Sequence, residues 1–497
     1  MTAFLNAISY WKIIEWVAEC ILAAFVLYML IRPLTVRKKE KTSASVKYEL
    51  DEKSVVAHLS GAIQIPTISP KEKGDNADEF RRLEAYLEKT YPLLHEKGEK
   101  TVINDHALLF RIKGSDSALK PIAFLAHQDV VPSSEEDWEY PPFSGEIVNA
   151  DGEDYIYGRG ALDMKGHMIT ILEAVEYCLK NVFSFKRDLY LCFGYDEELT
   201  GTLGAAQIVE YLKQNNIRLE FLIDEGGVVL DGGMLGIDGK IALIGNSEKG
   251  YVDFALTATC DGGHSSSPKH PTSIEVLAKA IVKLSKHQKR ARWSESTEEM
   301  FEALIPYMNY TGRFICVNRK ILSPALKFVI PKVNPAAGAV LRTTMAPTMI
   351  KGSDAYNTIS KTATVNVNCR LLRGDTEESM RDYIQKIVGK KIKVERQPDS
   401  SYDPPSEVSS VNTESYQLIA KSINEAFDGL IPAPFPFIAG SDAKFYYPVT
   451  DHVYRFSPFV LDTQDAERIH GANERIKSKD LVPATAFFIR VIENANA

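Results

Sequence analysis

Three short apolar runs in this chain each lead into a cluster of acidic or histidine side chains. Phe124-Leu125-Ala126 runs into His127-Gln128-Asp129, Leu191-Cys192-Phe193 toward Asp196-Glu197-Glu198, and Phe221-Leu222-Ile223 into Asp224-Glu225. Apolar runs of this length read as buried strands. In an open α/β sheet, ligands sit beyond the carboxyl ends of such strands. Four side chains far apart in sequence, His127, Glu197, Glu198 and Asp224, therefore fall where that fold gathers them. Asp163, in a loop after Gly158-Arg159-Gly160, and His470 in His470-Gly471-Ala472-Asn473-Glu474 complete the composition of a two-metal hydrolytic site.

The surrounding pattern supports that sheet. From 105 to 245, strand-like runs (121–126, 188–194, 219–223) alternate with helical ones (164–180, 203–215). Alternation of this kind predicts a mostly parallel sheet with helices on both faces. Two helices, 51–65 and 77–91, precede it, with Pro66 and Pro70 between them. Near Glu248 the period changes: 251–258 and 362–372 alternate strictly, while 273–288 and 376–388 are helical. Strand, helix, strand, helix predicts an α+β (ferredoxin-like) domain inserted at 248–397. Between its halves, 289–350 mixes charged and apolar residues without a clear period. The main domain then comprises 46–247 and 398–497, with a helix near 413–427 and a last one after Ser478. A chain of 497 residues is long enough for such a division.

The N-terminus is a separate object. Residues 13–31 are mostly apolar and 20–31 entirely so, enough to span a bilayer core. Glu15 and Glu19 lie near one end, where charge costs less. A cleaved signal peptide wants basic residues before the run. Here Arg32, Arg37, Lys38, Lys39 and Lys41 follow it, in a polar linker at 32–45. The expectation is a retained single-pass membrane anchor, and the positive-inside rule places the catalytic part in the cytosol. The sequon Asn309-Tyr310-Thr311 fits a lumenal location instead. Net charge −8 gives no basic footprint for nucleic acid. The six cysteines show no CxxC pair, and free thiols are expected.

Taken singly, the site residues are ambiguous. His127 reads as well as a structural histidine, but Asp129 two residues on shares its face in an extended segment and can orient the ring. Glu197-Glu198 reads as a solvated helix start, yet adjacent carboxylates can also divide labour, one ligating metal and one accepting a proton from water. Jointly, two histidines and several carboxylates are a donor set for zinc or a similar cation.

His127-Gln128-Asp129, the 158–165 segment Gly-Arg-Gly-Ala-Leu-Asp-Met-Lys, Asp196-Glu197-Glu198 with Gly201, Asp224-Glu225-Gly226-Gly227 and His470-Gly471 with Glu474 resemble the zinc aminoacylase/carboxypeptidase family of metallopeptidases. The likeness runs from about residue 50 to the end. Ser247-Glu248-Lys249-Gly250 and Tyr454-Arg455-Phe456 are similar to its carboxypeptidase S and N-fatty-acyl-amino-acid synthase/hydrolase subgroup. The resemblance implies two Zn2+ ions, bridged by Asp163, with His127 and Asp224 completing one site and Glu198 and His470 the other. It implies Glu197 as general base and Asp129 as the partner of His127. It further implies that the insert is a lid and homodimerisation domain. From it His264 would stabilise the oxyanion, often in the partner subunit's site, and Asn357 and Arg370 would touch substrate. Gly440 and Ser441 match a segment near the substrate carboxylate, with Ser where the family has Thr. The family also suggests a lumenal or extracellular location.

The expected activity is a membrane-anchored zinc metallohydrolase that cleaves or forms the amide bond between an acyl group and an amino acid. A carboxypeptidase or dipeptidase is the alternative, and a catalytically inactive binding protein a minor one. The expected partners are a small-molecule substrate, a membrane and a second copy of the chain.

Overall fold

A computed structural model describes residues 2–42, 45–72, 74–150 and 152–497, with side chains described from Trp11 onward, Thr463 excepted. Its centre is a mixed sheet, nine-stranded among the described residues. In spatial order it runs Glu99–Ile103, Ala107–Ile112, Leu189–Gly194, Ile122–His127, Phe221–Asp224, Val453–Arg455, Lys240–Glu248 and Ile431–Phe437, with Val229–Asp231 paired to Lys240–Glu248. The three strands that lead into the acidic and histidine clusters are neighbours and parallel, and His127 stands opposite Gly194. Ile122–His127 and Leu189–Gly194 are buried along their whole length. That is why they read as continuous apolar runs, since helices cover both faces of a parallel sheet. Lys165–Lys180 and Leu481–Ala495 pack on one face, and Ala205–Gln214 on the other.

The insert is an antiparallel sheet in the order Thr344–Lys351, Thr362–Leu371, Gly250–Thr259, Ile392–Arg396, with Tyr402–Asp403 also on Gly250–Thr259. Its strict alternation has a direct cause. Val252, Phe254, Leu256 and Ala258 face inward, against Leu277 and Leu284 of Ser273–Lys286 and Met380 and Ile384 of Glu377–Val388. On the other face stand Asp253 and Thr257, with Asn368 and Thr364 of the neighbouring strand opposite them.

The unreadable stretch 289–350 folds into the helices Glu295–Leu304, Tyr310–Val317, Arg319–Val333 and Pro335–Leu341. Met300 and Leu304 pack against Ile431 and Ala433 of the large sheet's edge strand. Arg319–Val333 carries Pro324 and Pro331 inside it, which blurs a helical pattern.

At the N-terminus, Thr2–Ile31 is one helix. Trp11–Thr35 is the one span among the described residues long and apolar enough to cross a membrane, and its most apolar stretch is not covered by the rest of the chain. The end of that span and the residues after it are not free. Pro33 is buried, Lys39 N donates to Pro306 O, Gly429 N donates to Thr42 O, and Val46 N donates to Glu425 O. All six cysteines are free.

Candidate metal centre and substrate cleft

The ends of the three parallel strands bring the acids and histidines together. His127, fully buried, holds Nε2 3.0 Å from Asp163 Oδ1 and 3.4 Å from Glu225 Oε1. His470 Nε2 lies 3.0 Å from Asp163 Oδ2 and 2.9 Å from Glu198 Oε2. Asp163 thus presents one oxygen to each histidine. Ligand atoms of His127, Asp163 and Glu198 lie within 4.8 Å of one another, as do those of His127, Glu197 and Glu225.

The two histidines are held toward the charged form. Hydrogen bonds to Asp163 and Glu198 raise His470 to about 10. Burial lowers the pKa of His127, but the Glu225 charge and bonds to Asp129, Asp163 and Glu225 carry it well above its ordinary value. Among the acids, burial and the Asp163 charge lift Glu225 to about 8, and burial raises Glu197 well above the carboxylate range. So many acids in contact require compensating positive charge. Glu198 Oε1 is buried without a hydrogen-bond partner. An orphaned carboxylate oxygen within a nitrogen and oxygen donor set fits a divalent cation such as zinc.

Two acids outside the cluster shape it. Asp129 meets the His127 ring chiefly through its backbone, with Nδ1 2.9 Å from Asp129 O and 3.4 Å from Oδ1. Its carboxylate instead accepts the amides of Glu197 and Glu198 and the Ser69 hydroxyl. It therefore orients the histidine and fixes the turn carrying both glutamates. Glu474, buried, accepts from the amides of Leu162 and Asp163 with Oε1, and from Gly160 N and Arg159 Nη1 with Oε2. The loop that supplies His470 thus also holds the backbone that supplies Asp163. Nothing in the spacing of the sequence announces that role.

Asp224 departs from expectation. Its oxygens accept the amides of Glu225 and Ala443, and Glu225 is the carboxylate that reaches His127. The cause is the two-residue period of a strand. Asp224 shares a face with Leu222, which packs in the cluster containing Ala443. Glu225 falls on the alternate side with one more methylene of reach. The period could have found it in the sequence.

The cluster forms one wall of a cavity of about 1880 Å³. Its polar end also carries Lys249, Arg370, Gly440 and Lys444. Arg370 lies over the Tyr251 ring at 4.8 Å. Lys249, buried, donates to Ala339 O and Arg342 O, and burial with the nearby Arg370 charge lowers it to about 7. Beyond this end the lining is apolar, from Leu243, Phe301 and Phe437 to Leu326 and Ile330. The segment 289–350 supplies much of it. Three expected contact residues lie elsewhere. Ser441 is buried beneath the wall, where its hydroxyl donates to Glu248 and accepts from Arg455. His264 and Asn357 are exposed on the insert, away from the cavity lining, and Ser265 N donates to Asn357 O.

Comparison with known proteins agrees with this architecture. The N-fatty-acyl-amino acid synthase/hydrolase PM20D1 of Xenopus tropicalis is 36% identical over 506 residues, covering 99% of this chain and 97% of that protein. The probable carboxypeptidase S-like 2 of Dictyostelium discoideum is 33% identical over 90% of this chain and 86% of its own. Human carnosine dipeptidase 1 shares the fold at TM-score 0.66 and 15% identity, over 90% of this chain and 96% of that one. A profile of Peptidase family M20/M25/M40 matches residues 123–494, and the chain belongs to that family of metallohydrolases.

Proposed function

We propose that this protein is a membrane-anchored di-zinc amidohydrolase that cleaves, or in reverse forms, the amide bond between a fatty acyl group and an amino acid. The observation that carries this reading is the cavity. At about 1880 Å³ it exceeds the roughly 300–1,000 Å³ usual for small-ligand sites, and its apolar body opens from a polar end holding acids, Arg370 and Lys249. A long acyl chain fills such a body, while an amino-acid carboxylate suits the basic groups. The Xenopus relative bears this activity in its name. The Dictyostelium relative, named for carboxypeptidase S, supports peptide hydrolysis as the second reading.

His127, Asp163 and Glu225 would hold one ion and Asp163, Glu198 and His470 the other. When bound, such a pair polarises the scissile carbonyl and acidifies water. Glu197 takes the proton from the attacking water and delivers it to the leaving amine nitrogen. Arg370 receives the substrate carboxylate through its two-pronged guanidinium. His264 donates to the developing oxyanion from a second copy docked through the insert. The exposed Met349, Ile350 and Tyr356 of that domain suit such docking. The helix Thr2–Ile31 is a retained anchor. Its end is bonded to the folded body, where Tyr310 Oη donates to Leu30 O and Arg313 Nη1 to Pro33 O.

The test is Glu197→Gln in the full chain. Hydrolysis of N-acyl amino acids should fall by about 10²–10⁴-fold with metal content unchanged. Undiminished turnover would defeat the reading.

A further inference from the structure

The helix Arg319–Val333 has two apolar sides. One faces the cavity through Leu326 and Ile330. The other is open to solvent: Phe328 is 63% exposed and Val333 76%, with Ile321 and Val329 also exposed. Ile321 and Phe328 share one face of the helix, and Val329 and Val333, one turn apart, lie between that face and the cavity side. Val329 and Val333 belong to both sides, because they also line the cavity. Across from them stands Met234, likewise both cavity-lining and 80% exposed. Asn334 Nδ2 lies 3.9 Å from its sulfur. An exposed apolar rim thus surrounds the mouth of an apolar cavity.

What covers this face follows from where the helix begins. Asn318, the residue before it, donates from Nδ2 to Met29 O at the end of the anchor and accepts from Arg32 at 3.4 Å. The apolar face therefore starts at the level where the membrane-spanning helix ends. At that level Arg32 stacks on Tyr28, a basic and aromatic pair typical of a bilayer interface. Lys320 and Lys332 are exposed along the helix, and the Lys332 ammonium sits 3.6 Å from the Phe328 ring centroid. Long basic side chains flanking an apolar face suit lipid phosphates above acyl chains.

We propose that Arg319–Val333 lies in the headgroup region of the bilayer that the anchor crosses. The cavity mouth then opens into the lipid, and a single-chain acyl amphiphile enters from the membrane rather than from water, its amide leading toward the polar end and its tail following into the apolar body. This rests on the anchor and acyl-substrate readings above, and the test separates them. In a chain with the accessible Cys20 and Cys260 changed to Ser, an environment-sensitive fluorophore is placed at Phe328→Cys. The control is Val182→Cys, exposed at the far end of Lys165–Lys180. Each full-length protein is reconstituted in phosphatidylcholine vesicles containing phosphatidylglycerol.

The label at 328 should shift to the blue and be quenched by nitroxide-bearing lipids, while the label at 182 does neither. The double variant Ile321→Glu, Phe328→Glu should remain in the vesicles after alkaline washing and hydrolyse a short-acyl, water-soluble substrate at the wild-type rate. It should lose about tenfold or more toward a long-acyl substrate carried in the vesicles, the scale of one apolar side chain's transfer. A label at 328 that stays water-exposed in a chain retained after washing overturns the proposal. So does shielding at 328 without lipid quenching, which marks a protein partner on that face. If washing releases the wild-type chain, the anchor reading falls alone. Lipid quenching on adding the released protein to vesicles then still decides the rim helix.

Discussion

The strand-end cluster and the inserted domain contribute to one cleft in opposite ways. The cluster is finished within a single chain: its histidines and acids touch, and Asp129 and Glu474 lock the turns that carry them. The insert is finished only as a fold. Its sheet has a closed core, yet of its three expected contact residues His264 and Asn357 point to solvent and Arg370 alone reaches the cavity wall. The difference teaches that binding and activating groups are pre-positioned by the parallel sheet. Under the proposed reading, the group that closes over the reacting carbonyl comes from another docked surface.

Three substitutions can break that contrast. The largest effect is expected for His264→Ala, about 10²–10³-fold in kcat, with metal content and short-range stability untouched. Mixing it with Glu197→Gln should restore activity that neither variant has alone, because one copy supplies the histidine and the other the base. No complementation, with His264→Ala fully active, would remove the insert from catalysis. Next comes Glu225→Gln, which should weaken retention of one metal by about 10–100-fold or more, read by competition with a chelator. The smallest is Asp224→Asn beside it. Metal retention should hold, and stability should change by about 1 kcal/mol, because the amide oxygen can still accept from Ala443 N. If Asp224→Asn loses metal and Glu225→Gln keeps it, the two acids have exchanged roles.

Much of this was legible in the sequence because burial on both sheet faces leaves unbroken apolar runs, and each run's end is marked by charge. His127 and Glu198 could be gathered on that ground, while Asp163 and His470, in loops, were joined to them by the donor set and the family resemblance. Asp224 and Glu225 could not be separated by composition, since both are acids at one strand end and only the face each occupies decides. Glu474 was hidden for another reason. It acts through backbone amides of a loop some three hundred positions away, and such a partner leaves no pattern in spacing. The stretch 289–350 resisted because its helix Arg319–Val333 is apolar on two sides and interrupted by proline, which erases the one-sided period that marks an ordinary surface helix.

The central claim is that the cavity body selects a long acyl chain. The direct measurement is kcat/KM of the metal-loaded full chain across N-acyl amino acids of increasing acyl length, with dipeptides alongside. The structure predicts a rise with each added methylene until the cavity is filled, with dipeptides far below. A flat series, or a preference for dipeptides, would contradict it.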